Sequence, residues 1–156
     1  MTWIDPANTS DWTERFQEVQ AEFDAIKIDD VLSIQPGEIV EPHRINEELV
    51  KTARAFQQTG AVKDKARRLE SIAKGWYEHE YQLALLETTR TDKAEILTSA
   101  ELRKAYAAYK AEKLKEFWEA GKLLSLAVHD ERQRLFQYRE DLYNIGHNSR
   151  YNPDRI

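Results

Sequence analysis

From Ser99 to Ile145 the chain contains no proline and a single glycine, Gly121, and its apolar residues recur at helical spacing throughout. Read as one helix, this stretch is a rod of about 70 Å at 1.5 Å per residue, far longer than the helices of ordinary globular domains. Such a rod cannot bury its own apolar stripe. Other parts of the chain, or other copies of it, must do so.

Composition points to the same class. Charged residues make up 33% of the chain and mean hydropathy is −0.74, the profile of long solvated helices rather than of a sandwich or a doubly wound sheet. There is no cysteine, which excludes disulfides, zinc ribbons and thiol catalysis. The opening MTWIDPANTSDW has neither a basic nor an apolar leader region, and no window approaches the 18 apolar residues of a membrane span. The expectation is a cytoplasmic protein without a signal peptide or membrane segment. Charge is unevenly placed: twelve acids against three bases through residue 50 (−9), then sixteen against twenty (+4). The acidic leader is either a solvated segment or one that lies on the basic body or docks a basic partner.

Ser10 or Asp11 is a plausible N-cap for a helix that carries Trp12, Phe16, Val19 and Phe23 and ends near Lys27. Residues 28–44 read as a linker, with two short extended pieces about a turn at Pro36-Gly37, that packs only in an assembly. Asn46 caps a second helix with Leu49, Ala53 and Phe56 on one face; Gly60 ends or weakens it. Val62, Ala66, Leu69, Ala73, Trp76 and Leu83 continue the pattern. It lapses from Thr89 to Leu97, and Thr98 with Glu101 forms a capping box that launches the long helix. The predicted fold is all-α: a long antiparallel helical hairpin or coiled coil with a short N-terminal helix and an extended linker. Its divisions are an acidic segment 1–45, a hairpin core 46–146 closed by Gly146, and a polar tail 147–156.

The predicted seam of the long helix is Leu102, Tyr106, Tyr109, Lys113, Phe117, Gly121, Leu124, Val128, Glu131, Leu135, Tyr138, Leu142 and Ile145. Its steps alternate 4 and 3 except at 109–113–117, where two fours form a stutter that locally unwinds a supercoil. Gly121 lets another backbone come close. Lys113, Gly121 and Glu131 do not suit a dry two-stranded core, and Trp118 beside Phe117 widens the contact face. These features predict a homo-oligomer packed through Leu102, Tyr106, Tyr109, Phe117, Trp118, Leu124, Val128, Leu135, Tyr138 and Leu142.

Catalytic signatures are missing. No histidine follows a glutamate by three residues, as a di-iron bundle requires, and HExxH, nucleophile elbows, P-loops and GxGxxG are absent. No catalytic residue, metal or cofactor is expected. One constellation points to a partner: KDKARRLESIAKGWY, residues 63–77. Lys63, Lys65, Arg67, Arg68 and Lys74 supply cations for phosphates, and Trp76 and Tyr77 supply flat faces for unpaired bases. Lys63, Arg67, Lys74 and Tyr77 can share one helical stripe. Lys104, Lys110, Lys115 and Lys122 would widen the patch if a hairpin brings them near. The bland reading makes Trp76 part of the seam and the bases a wet face.

The block KDKARRLESIAKGWY, the polar break TTRTDKAEI and the helix opening LTSAELRKAYAAYK together resemble the small helical recombination-mediator proteins of tailed phages, the UvsY type. NIGHNS at 144–149 also resembles a short string met in phage-derived proteins of alphaproteobacteria. The mediator resemblance covers roughly two-thirds of the chain and leaves the acidic leader without a counterpart. It implies a ring-forming homo-oligomer that binds single-stranded DNA through Lys63, Lys65, Arg67 and Arg68, and helps load a recombinase onto strands covered by single-strand-binding protein. The alternative expectation is a scaffolding coiled-coil module without nucleic-acid binding.

Overall fold

A computed structural model of the chain describes residues 5, 8–35 and 37–151, with side chains except at 91, 92 and 148–151. It is all-helical: α1 (Thr9–Asp24), α2 (Ile28–Val31), α3 (Pro42–Glu87), α4 (Thr91–Ala94), α5 (Ala100–Lys110) and α6 (Glu112–Tyr151), with no strand among the described residues. No helix among them is long and apolar enough to cross a membrane. The chain divides into two compact units, Met1–Glu18 with Ala66–Ser125, and Val19–Lys65 with Leu126–Ile156.

In the first unit Asn8 Oδ1 accepts from Asp11 N–H at 3.1 Å. Asparagine is a strong N-cap, so α1 starts earlier than a cap at Ser10 or Asp11 predicts. Trp12 has no solvent exposure and stacks on Phe117 of α6 at 5.5 Å, with Phe16 completing the set. The apolar surplus at Phe117 is therefore covered by α1 of the same chain. Along α3, Ala66, Leu69, Ala73 and Ala84 are buried, and so is Thr88 just past its end. Gly121 of α6 meets the α3 backbone: a Cβ there would lie 2.9 Å from Glu70 Cα.

The long helix predicted over 99–145 is two helices. It opens with Ser99, whose hydroxyl accepts from Leu102 N–H, so the cap is Ser99 rather than Thr98. Ala111 interrupts it with φ −98° and ψ 8°. The buried line runs Ala107, Ala111, Leu114, Gly121, Leu124. Lys113, predicted on the seam, is exposed and pairs with Glu116. The periodicity fault at 109–117 is thus absorbed by a break in the helix instead of by an unwound supercoil. Leu102 and Tyr109 are exposed and Tyr106 is half-buried.

In the second unit, residues 28–41 pack against their own chain, contrary to the expectation that they need an assembly. Ile28 joins Ala55 and Leu135 in one cluster; Ile34 and Val40 join Ile45, Tyr138 and Leu142 in another. Polar groups fix this strap in register. Ile34 N–H donates to the Tyr138 hydroxyl at 3.2 Å, while that hydroxyl and Ser33 Oγ both donate to Glu48 Oε2. Glu48 is 4% exposed, and Lys51 caps its other oxygen at 3.1 Å. Arg134 of α6 ties down α2 through Asp29 and binds Glu131 in its own helix; those two carboxylates hold the guanidinium pKa above its ordinary value. Lys27 enters α2 at φ 51°, a left-handed conformation that costs a non-glycine residue about 1–2 kcal/mol. The turn carries Gly37 at φ 87° and a bond from Glu38 N–H to Gln35 O; Pro36 lies outside the described residues.

α3 begins at Pro42, a favoured first helical residue, so Asn46 is internal and not a cap. Gly60 does not end it. Its buried line in this unit is Ile45, Glu48, Thr52, Ala55, Thr59 and Val62, a strict alternation of 3 and 4, whereas Ala53 is exposed. Thr52 and Thr59 suit this line because their hydroxyls donate to the carbonyls of Glu48 and Phe56 in the same helix and leave their methyls to pack. α6 runs past Gly146 to Tyr151, so Gly146 is not its stop. Gly146 instead lies against Ile45: a Cβ added there would stand 3.6 Å from Ile45 Cγ2, in ordinary contact. Of the predicted tail, 152–156 lie outside the described residues.

Candidate nucleic-acid interface

All seven predicted contact residues lie on α3, but they do different things. Lys63 and Lys65 belong to the second unit. There Lys65 Nζ is held by both carboxylate oxygens of Glu22 at 2.7 Å, and Lys63 Nζ sits 3.1 Å from His129 Nδ1. The Glu22 contact is one point where the acidic leader lies on the basic body. Exposed pairs of this kind add little stability, about 0–1 kcal/mol, yet they occupy the cation.

Arg67, Arg68, Lys74, Trp76 and Tyr77 belong to the first unit. Arg67 and Arg68 are exposed, with no bond to any described residue. Arg67 stands seven residues before Lys74 on α3, two helical turns away on the same face. Trp76 is half-buried and meets His79 edge-on at 5.7 Å. Tyr77 turns instead toward α6, where its ring lies 5.5 Å from Trp118 and 5.9 Å from Tyr81.

Trp118 is the centre of this cluster. Lys122 Nζ stands 5.0 Å from its ring centroid and Lys74 Nζ 5.7 Å, both within cation–π range. Glu78, at 4.0 Å from Lys74, is a weak competitor. The sequence places Trp118 on the packing face because it adjoins Phe117. Adjacent helical residues point about 100° apart, and here Phe117 faces α1 while Trp118 faces Tyr77. Of the accessory lysines, Lys122 joins the cluster. Lys110 instead sits with Lys93 over Tyr106, whose hydroxyl donates to Glu87 at 2.8 Å. Lys115 lies in a shallow depression among Glu112, Glu116 and Glu119.

The predicted oligomer contacts separate in the same way. Leu124 belongs to the first unit's core and Val128, Leu135, Tyr138 and Leu142 to the second's, all buried within the chain. Leu102 and Tyr109 keep surface to offer.

Chemically, the Trp118 cluster presents aromatic faces flanked by flexible ammonium groups. That arrangement can stack a planar base while neutralising the phosphates on either side of it. No protein-family model matches the chain, and no curated protein or solved structure matches it.

Proposed function

We propose that this chain is a long antiparallel helical hairpin that binds single-stranded nucleic acid and performs no catalysis. Its role would be that of an accessory protein in phage-type DNA recombination, acting with a recombinase or single-strand-binding protein as the mediator resemblance implies. The observation that carries the reading is Trp118 between Lys74 and Lys122, beside Tyr77. Supporting the hairpin, contacts within each unit run in opposite directions along α3 and α6: Phe56 with Arg132 and Lys63 with His129 in one, Glu70 with Gly121 and Tyr77 with Trp118 in the other.

Stacking of one base on an aromatic side chain is worth about 1–3 kcal/mol. Trp118→Ala is therefore expected to weaken binding of a single-stranded oligonucleotide by roughly 5- to 150-fold. Three phosphate contacts, through Arg67, Lys74 and Lys122, imply that log K falls with log salt at a slope of about −2. Fluorescence titration at several salt concentrations reads both quantities. Absence of binding at low salt, equal affinity for duplex, or affinity unchanged in Trp118→Ala would sink the proposal.

A second reading rests on the apolar side chains that the first unit leaves exposed: Leu83, Leu86, Ile96, Leu102 and Tyr109, between 46% and 74% exposed. Such surface favours self-association, as a scaffolding module or as the oligomer that the mediator role needs. Light scattering at micromolar concentration is expected to give an oligomer, and a paired Leu102→Glu, Tyr109→Glu variant a smaller species. A wild-type monomer removes this reading and leaves strand binding standing.

A further inference from the structure

In the second unit, α3 and α6 border a cleft of about 290 Å³ lined by Phe56, Lys63, His129, Arg132, Gln133 and Phe136. Its two cations, Lys63 and Arg132, stand together in one cleft. Lys51, Lys65 and Arg134 each have a carboxylate within 4 Å, from Glu48, Glu22, and Glu131 with Asp29. Lys63 and Arg132 have none among the described residues, and no acid lines the cleft.

Both cations are also held in position. An ammonium only donates, so Lys63 fixes His129 with Nδ1 as acceptor at 3.1 Å. Arg132 Nη1 donates to the Phe56 carbonyl at 2.9 Å, and its guanidinium lies over the Phe56 ring at 4.0 Å from the centroid. Gly60 makes room for this: a Cβ at that position would lie 2.5 Å from Arg132 Nη1. The carbonyl bond uses one of five guanidinium N–H groups, which leaves donors for a ligand. Phe136 is 43% exposed even with the Arg139 guanidinium 4.9 Å from its ring centroid. It supplies a half-open apolar face, and Gln133 an amide with both donor and acceptor.

We infer that this cleft binds a nucleoside phosphate, with the phosphate on Lys63 and Arg132 and the base against Phe136. Cations without counter-charge select an anion, and an aromatic wall beside them selects a planar group attached to it. The inference does not depend on strand binding by Trp118, which lies in the other unit.

The test is calorimetric titration of the full chain with a nucleoside 5′-monophosphate, the parent nucleoside and inorganic phosphate. The monophosphate is expected to bind saturably with Kd below about 1 mM. Inorganic phosphate should bind more weakly, and the nucleoside not at all. Lys63→Gln should weaken monophosphate binding by about tenfold, and Phe136→Ala, at an exposed ring, should lower it toward the value for inorganic phosphate. Trp118→Ala should leave it unchanged. The inference is overturned if the monophosphate does not saturate, if Lys63→Gln binds it as wild type does, if inorganic phosphate binds equally well, or if an acidic peptide binds where the monophosphate fails.

Discussion

Trp12→Ala is expected to cost about 3–5 kcal/mol of folding stability, the range for deleting a large buried aromatic side chain. That is a large share of the roughly 5–15 kcal/mol that holds a typical domain together. Trp12 is fully buried, and its ring is near-parallel to Phe117 at 15° and to Phe16 at 25°. Removing it leaves a cavity beside Phe16 and Phe117, which keep only their own contact at 6.2 Å in the three-ring stack. The indole Nε1 makes no hydrogen bond among the described residues, so what Trp12 contributes is ring contact, not polarity. Trp12→Phe should therefore lose far less, under about 1.5 kcal/mol, since it keeps the stack and deletes an unpaired donor. Urea unfolding of both variants separates the cases. Equal losses, or a small loss in Trp12→Ala, would mean that α1 is not anchored by this stack.

Two glycine-to-alanine substitutions should move stability in opposite directions. In a helix interior the exchange is favourable by about 0.5–1 kcal/mol. Gly75 has open space where a Cβ would go, so Gly75→Ala should realise that gain. At Gly121 the added carbon would sit 2.9 Å from Glu70 Cα and 3.1 Å from its backbone nitrogen. A backbone cannot swing aside as a side-chain tip can, so the two helices must separate locally. Overpacking of this kind costs about 1–3 kcal/mol and outweighs the propensity gain. Thermal denaturation of the pair provides the check; a stabilised Gly121→Ala would mean that α3 and α6 do not approach there.

That close approach was legible from one glycine in an otherwise periodic helix. The all-α class, the start of the long helical region and the lapse at 89–97 were legible for the same reason: apolar spacing reports helix directly. What stayed hidden has identifiable causes. The seam of α3 over 45–62 is written partly in Glu48, Thr52 and Thr59, which a hydrophobic count discards although each is buried and hydrogen-bonded. The strap over 28–41 read as two short pieces unable to pack alone because its partners, Tyr138 and Leu142, lie about a hundred residues on. The break at Ala111 sits at the residue type with the best helix propensity, so only the fault in spacing around it gave notice. For the candidate interface, the bases and Tyr77 were readable as a run and Lys122 as an accessory cation of a distant helix, whereas Trp118 read as packing surface and Lys65 is engaged by Glu22.

Phe117 and Trp118, adjacent in the chain, serve different masters. The first is held by Trp12 and Phe16, the second by Tyr77 and two lysines. A change at 118 therefore touches the proposed binding cluster and leaves the contacts of the neighbouring ring stack in place. If the proposed strand binding holds, a lineage could lose or exchange that ligand by single-residue steps that leave the Trp12 stack untouched.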